Sequence, residues 1–150
     1  MITSRMGARG IIEYQGMFLL VKNVASSGEF WCLPGGGIET DEDVVSALRR
    51  KIIEETGIEP TIGNLLYVHQ IGQQGGYDVP EFFFHIRNGK DFLAIDLAKT
   101  THGEEELLAI NFVDIETVTV LPKFLKTELP ELTAHNFETL TRFRLSEFKD

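Results

Sequence analysis

Two adjacent carboxylates, Glu54 and Glu55, close a segment that opens on three consecutive glycines, Gly35, Gly36 and Gly37. Hard oxygen donors near a turn whose carbonyls carry no shielding side chains suit a hard divalent cation. Such a cation suits phosphate chemistry, because it offsets charge on phosphoryl oxygens. Arg50 stands four residues before Glu54, a spacing at which a guanidinium forks onto a carboxylate and holds it. Lys51 departs from this pattern. A protonated lysine cannot ligate Mg2+ and is a poor base at neutral pH. On a helix it lies about 40° from Glu55 and about 60° from Glu54, so its ammonium reaches the same acidic cluster.

These residues need a helix to position them, and the spacing predicts one over 43–56. Val45, Leu48 and Ile52 recur at helical intervals and are expected to form its buried stripe. Gly57 follows where a left-handed residue ends a helix cheaply. Upstream, 9–14 and 17–23 read as a strand pair turning at Gln15-Gly16, 24–29 as a loop and 30–33 as a short aromatic strand. Downstream, strands are expected at 65–70 and 81–86 around a mobile loop, 71–80. An acidic loop at 101–106 precedes a further strand at 109–113. After Pro122, Phe124, Leu125 and Leu129, then Phe137, Leu140 and Phe143, have helical spacing, expected as core or dimer surface. The irregular alternation implies a mixed sheet covered by helices.

Bulk properties narrow the class of function. A chain of 150 residues with 43% hydrophobic and 25% charged residues is expected to be one globular domain. The net charge of -9 argues against wrapping a nucleic-acid polymer. A small anionic ligand remains compatible if a metal ion reverses the local potential. The single cysteine, Cys32, excludes an internal disulfide and an all-cysteine metal site. Neither a signal peptide nor an apolar run near ~20 residues is visible, so a cytoplasmic location without a membrane partner is expected.

The glycine-to-glutamate segment resembles the Nudix box, G-x5-E-x7-R-E-U-x-E-E-x-G-U, with U a bulky aliphatic. Gly36, Glu42, Arg50, Ile52, Glu54, Glu55, Gly57 and Ile58 fill eight of its nine specified positions without a gap. Lys51 fills the ninth, where the pattern has Glu. Phe30-Trp31, the LPGGGIE entry and the later GEEELLAINFVDIE stretch also resemble the family. The resemblance implies a single Nudix domain over 1–150. Its fold would be an α/β/α sandwich with a mixed sheet, the box forming loop–helix–loop. It implies hydrolysis of a nucleoside diphosphate linked to another moiety, or a related pyrophosphate, with Mg2+ or Mn2+. Carried over by position, Glu54, Glu55 and the Gly35 carbonyl would hold the metal, and Glu42 and Arg50 would brace the helix. With Lys51 in the box, either metal affinity and activity are weakened, or a carboxylate of the later acidic loop acts as base. Glu104, Glu105 and Glu106 are its candidates, with Glu105 as the central choice; an exposed acidic loop accounts for these three equally. A homodimer is compatible with the family, and so is a Nudix domain that senses a nucleotide without cleaving it.

Other residues carry weaker signals. Arg9 and Lys22 are positioned to meet phosphates, and Tyr77 or Trp31 to stack a base, although packing and surface charge account for them equally. His69 and His102 lack metal-ligand spacing and are expected in the core or at the surface. Cys32 reads as a buried strand residue.

Overall fold

The computed structural model describes residues 6–73, 75–96 and 109–147. Nine strands form among them: β1 (Gly7–Tyr14), β2 (Met17–Ala25), β3 (Gly28–Cys32), β4 (Gly35–Gly37), β5 (Ile62–Gln73), β6 (Gly76–Tyr77), β7 (Glu81–Ile86), β8 (Ile110–Val113) and β9 (Arg142–Glu147). The α-helices among the described residues are α1 (Val44–Thr56) and α2 (Phe124–Ala134). The sheet runs β3-β2-β1-β7-β5-β6, with β4 on β1, β8 on β2 and β9 on β5. The β1–β7 and β5–β9 pairs are parallel and the other strand pairs antiparallel, so the sheet is mixed.

Neighbouring residues on the central strands feed two different cores. Ile11, Leu20 and Phe83 pack on the α2 side with Leu125, Leu129 and Leu132. Ile12, Leu19, Phe84 and Ile86 pack on the other side with Ala47, Leu48 and Ile52 of α1. Period-two alternation with both faces covered explains why these strands read as continuous apolar runs. Each fully buried side chain of this size contributes roughly 1.5–3 kcal/mol. The result is the α/β/α sandwich.

Helix α1 forms as its sequence predicts, with one change of face. Asp43 caps it by accepting the Ser46 amide at 2.8 Å, and Gly57 ends it at φ 73° with its N–H on the Ile53 carbonyl. Val45, however, is 46% exposed. The buried stripe is Ala47, Leu48 and Ile52 with Val44 against its edge, which turns Val45 about 100° away.

Three expected loops or helices are replaced by strand. The loop expected at 24–29 shrinks to a Ser26-Ser27 turn, because β2 and β3 stay paired up to Ala25 and Gly28 and Lys22 meets Glu29 at 3.1 Å. The segment expected to be mobile is largely a hairpin: β5 runs to Gln73, Gly72 pairs with Tyr77, and the Asp78 amide bonds the Ile71 carbonyl. The second expected helix, through Phe137, Leu140 and Phe143, is not one. Asn136 and Phe137 take positive φ after α2, Leu140 is 87% exposed, and Phe143 lies in β9. Strand β9 alternates instead, sending Arg142 and Arg144 to Glu128 on α2 while Phe143 and Leu145 stay exposed. Among the described residues no helix is long and apolar enough to cross a membrane.

His85 on β7 stacks on Phe137, centroids 4.1 Å apart and planes 14° from parallel. Burial, aided by Arg87, lowers its pKa to about 4. A base whose folded pKa is depressed contributes stability above its unfolded value, near 6.5, and loses it as pH falls toward 4. Thermal melts between pH 7 and 4 are therefore expected to decline less steeply in His85→Phe than in the natural chain.

Candidate active site

The end of α1 is tied back onto the glycine turn by two side chains. Glu55, only 6% exposed, accepts the Gly35 amide on Oε1 at 2.8 Å. Arg50 donates through Nε and NH2 to both oxygens of Glu42, at 2.6 and 2.8 Å, and through NH1 to Glu54 at 2.6 Å. Its NH2 also reaches the Gly37 carbonyl at 3.2 Å. Arg50 and Glu42 thus form the fork expected of them, and Glu54 shares it. Hydrogen bonds from Arg50, and then from the Glu39 amide, hold the Glu42 carboxyl down at about 2.

The turn itself is locked against β1. Gly35 sits at φ +137°, and a Cβ there would lie 2.2 Å from the Ala8 carbonyl oxygen, so no other residue fits. The Pro34 carbonyl accepts the Gly10 amide and the Met6 carbonyl accepts that of Ile38, which brackets the turn on both sides. Gly36 gives room of another kind. A Cβ on it would stand 2.6 Å from Lys51 Cε and 3.3 Å from Nζ, so the lysine tail lies across its bare Cα. Glu54, Glu55, Gly35, Arg50 and Glu42 are therefore gathered at one place, with Lys51 beside them. Glu105, in the acidic loop 101–106, and His102 lie outside the described residues.

A cavity of about 300 Å³ opens next to this turn, lined among others by Arg9, Asn23, Phe30, Cys32, Leu33 and His69. Its wall is a polar chain that sequence reading missed. Glu81 accepts Arg9 Nε on one oxygen at 3.1 Å and His69 Nδ1 on the other at 2.8 Å. A carboxylate only accepts, so Nδ1 carries the proton. In the neutral ring Nε2 then takes the Ser146 hydroxyl at 2.9 Å. Glu–His–Ser is also the order of an activated nucleophile. Ser146, 7% exposed, lines the cavity together with His69 and Glu81, so the chain of hydrogen bonds fixes the cavity wall.

Arg9 NH1 bonds the Leu33 carbonyl at 2.9 Å. Burial works against its charge, but Glu81, Cys32 and Glu55 together raise its pKa. For Glu81 burial also opposes ionisation, and His69 and Arg9 overcome it to lower the pKa. Burial raises that of the Cys32 thiol, whose Sγ lies 3.1 Å from the Asn23 amide nitrogen. The four residues of the wall come from β1, β5, β7 and β9, spread from position 9 to 146, with no local motif to mark them. A weak signal existed in the charged residues Arg9 and Glu81, beside largely apolar strand sequence.

The two aromatic candidates fall elsewhere. Trp31 packs against the α2-side core and bridges Val120, and Tyr77 is exposed on β6. Phe30 is the aromatic ring from that strand at the cavity. Lys22 is paired with Glu29.

A mixed sheet between two helices, with a glycine turn closed by a helix bearing paired carboxylates, is the architecture of one enzyme superfamily. The NUDIX domain profile matches residues 4–135, and the chain belongs to the Nudix family. It is 38% identical over 80 residues to a CTP pyrophosphohydrolase of Escherichia coli (strain K12), covering 48% of this chain and 59% of that protein. It is 33% identical over 60 residues to phosphatase NudJ of the same strain, covering 40% of this chain and 39% of the relative. The chain thus spans between about two-fifths and three-fifths of these relatives. Among solved structures, the ORF135 protein of E. coli superposes with a TM-score of 0.64 at 26% identity, over 88% of this chain and 94% of that one. An ADP-ribose pyrophosphatase from Streptococcus suis shares the fold, at TM-score 0.61 and 18% identity over 96% and 100% of the two chains.

Replacing Glu81 by Leu leaves Arg9 and His69 facing an apolar group in a partly buried setting. Such a change is expected to cost about 2–4 kcal/mol, read as a lower urea midpoint, with a smaller loss for Glu81→Gln.

Proposed function

We propose that this chain is a metal-dependent pyrophosphohydrolase acting on nucleoside diphosphate-linked or other pyrophosphate compounds, with water attacking phosphorus. The observation that carries this reading is the Glu55–Gly35 bond, which sets the paired carboxylates of α1 against the glycine turn. Pyrophosphate as the bond class is supported by the name of the relative at 38% identity. The neighbouring cavity, at about 300 Å³, is at the small end of ligand pockets and suits a nucleoside-sized group.

The donor set fits Mg2+ or Mn2+. Among the described residues no three His, Cys, Asp or Glu side chains converge as a metal cluster. Mg2+ is commonly bound by one or two carboxylates, with water and substrate phosphates completing its octahedron. Glu54 and Glu55, with the Gly35 carbonyl, would hold the ion. When bound it supplies charge neutralisation at the phosphoryl oxygens and lowers the pKa of water.

The chain's own residues do the rest. Arg50 and Glu42 keep the end of α1 fixed against the turn, which limits the motion of both metal-holding carboxylates. Glu105 is assigned as the base on its place in the acidic loop, taking a proton from water as oxygen bonds to phosphorus and the bridging P–O bond breaks. Excess negative charge from the carboxylates disfavours a bare anion, so substrate binding is expected to require the cation.

A second reading is favoured by Lys51: a Nudix domain that binds a nucleotide without cleaving it. The two separate in one assay. Phosphate or nucleotide release is measured over a panel of pyrophosphate compounds, with Mg2+ and after chelation, for the natural chain and Glu55→Gln. Hydrolysis that needs Mg2+ and falls at least ~100-fold in kcat/KM on Glu55→Gln is expected. Tight metal-independent binding with no turnover of any compound would sink the enzyme reading in favour of the second.

A further inference from the structure

The glycine turn carries a carboxylate on one residue and an ammonium on the next. Glu55 takes the Gly35 amide, and the Lys51 tail crosses the Cα of Gly36 with Nζ 3.3 Å from where a Cβ would stand. Lys51 forms no hydrogen bond or ion pair with any described residue. Arg50, by contrast, spends its donors on Glu42, Glu54 and the Gly37 carbonyl. Gly36 matters here through its missing side chain, because any Cβ would push the lysine tail off the turn.

Charge decides what such a lysine does. At the turn, among the described residues, the Arg50 guanidinium joins Glu42 and Glu54, Glu55 holds the Gly35 amide, and the Lys51 ammonium lies beside them. These five side chains together carry one net negative charge, and the box as a whole carries three. A divalent ion on Glu54 and Glu55 reverses the charge of this local group, and the Lys51 ammonium adds a fixed positive charge at the same place. The other positive charge that a diphosphate group requires is therefore already covalently present. We infer that Lys51 supplies it: the ammonium contacts non-bridging phosphoryl oxygens beside a single divalent ion held by Glu54 and Glu55. This rests on the pyrophosphohydrolase reading and adds the division of labour between ion and side chain. Lys51 then has a positive role in place of a carboxylate, that of a point-charge phosphate ligand.

The experiment counts metal ions and measures diphosphate binding without turnover. Mn2+ bound per chain is determined by electron paramagnetic resonance for the natural protein, Lys51→Met and Lys51→Glu. Binding of imidodiphosphate, a non-hydrolysable diphosphate, is measured by calorimetry at saturating Mn2+, and circular dichroism verifies that each variant is folded. One Mn2+ is expected on the natural chain and on Lys51→Met, and a second on Lys51→Glu. Imidodiphosphate affinity is expected to fall about 10- to 100-fold in Lys51→Met, the effect of losing one charge-assisted contact. Two ions on the natural chain, or unchanged imidodiphosphate binding by folded Lys51→Met, would overturn the inference and leave the hydrolase reading intact. No Mn2+ on any variant would overturn both.

Discussion

The close crossing of the glycine turn over β1 is the constraint on which the rest of the site depends. At Gly35 the backbone comes within a Cβ's width of the Ala8 carbonyl, and the Glu55 carboxylate seizes the amide at that point. One buried bond thereby sets the position of the end of α1 relative to the sheet. A buried carboxylate is costly unless its acceptors are used, and the bond uses one acceptor of Glu55. Everything built outward, from the Arg50 fork to the lysine over Gly36, inherits its geometry from this contact.

Two polar assemblies flank that crossing and work in different ways. The Arg50 fork is partly buried at the helix surface and binds the side chains of one short segment, residues 42–54, into a rigid unit. The Arg9–Glu81–His69–Ser146 wall joins four strands and is deeper, and its members are satisfied mainly by each other. The first fixes the carboxylates and the second fixes the shape of the cavity beside them. Arg9 links the two, because Glu55 and Glu81 both favour its charge.

How much of this could be read beforehand follows from how local each signal is. Helix α1 was legible because Leu48, Ile52 and the terminal Gly57 lie close together and enforce one helical period, whereas its Asp43 cap is seen only in the structure. The box residues were legible for the same reason. The mixed sheet covered by helices followed from the irregular alternation of strand and helix patterns, and the α/β/α layering from the resemblance to the Nudix box. The cavity wall was not legible, since Arg9 and Ser146 meet only through strand order, and the parallel β5–β9 pairing has no local mark in the sequence. Strand β9 misled through coincidence: Phe137, Leu140 and Phe143 sit three apart, yet they span a left-handed turn, an exposed link and a strand. Polar Arg142 and Arg144, the better guide, gain meaning only with Glu128 of α2 opposite them.

The bracketing of the turn by Met6, Ala8 and Gly10 has a consequence for protein engineering. The box looks in sequence like a portable cassette of some two dozen residues. Its turn is half of a backbone joint whose other half is the first strand, so a graft into a foreign scaffold must carry that strand's spacing as well. Swapping parts between members of this fold is therefore expected to respect a seam after β4 and α1 are taken together with β1, and to fail at a seam drawn at the motif's own ends.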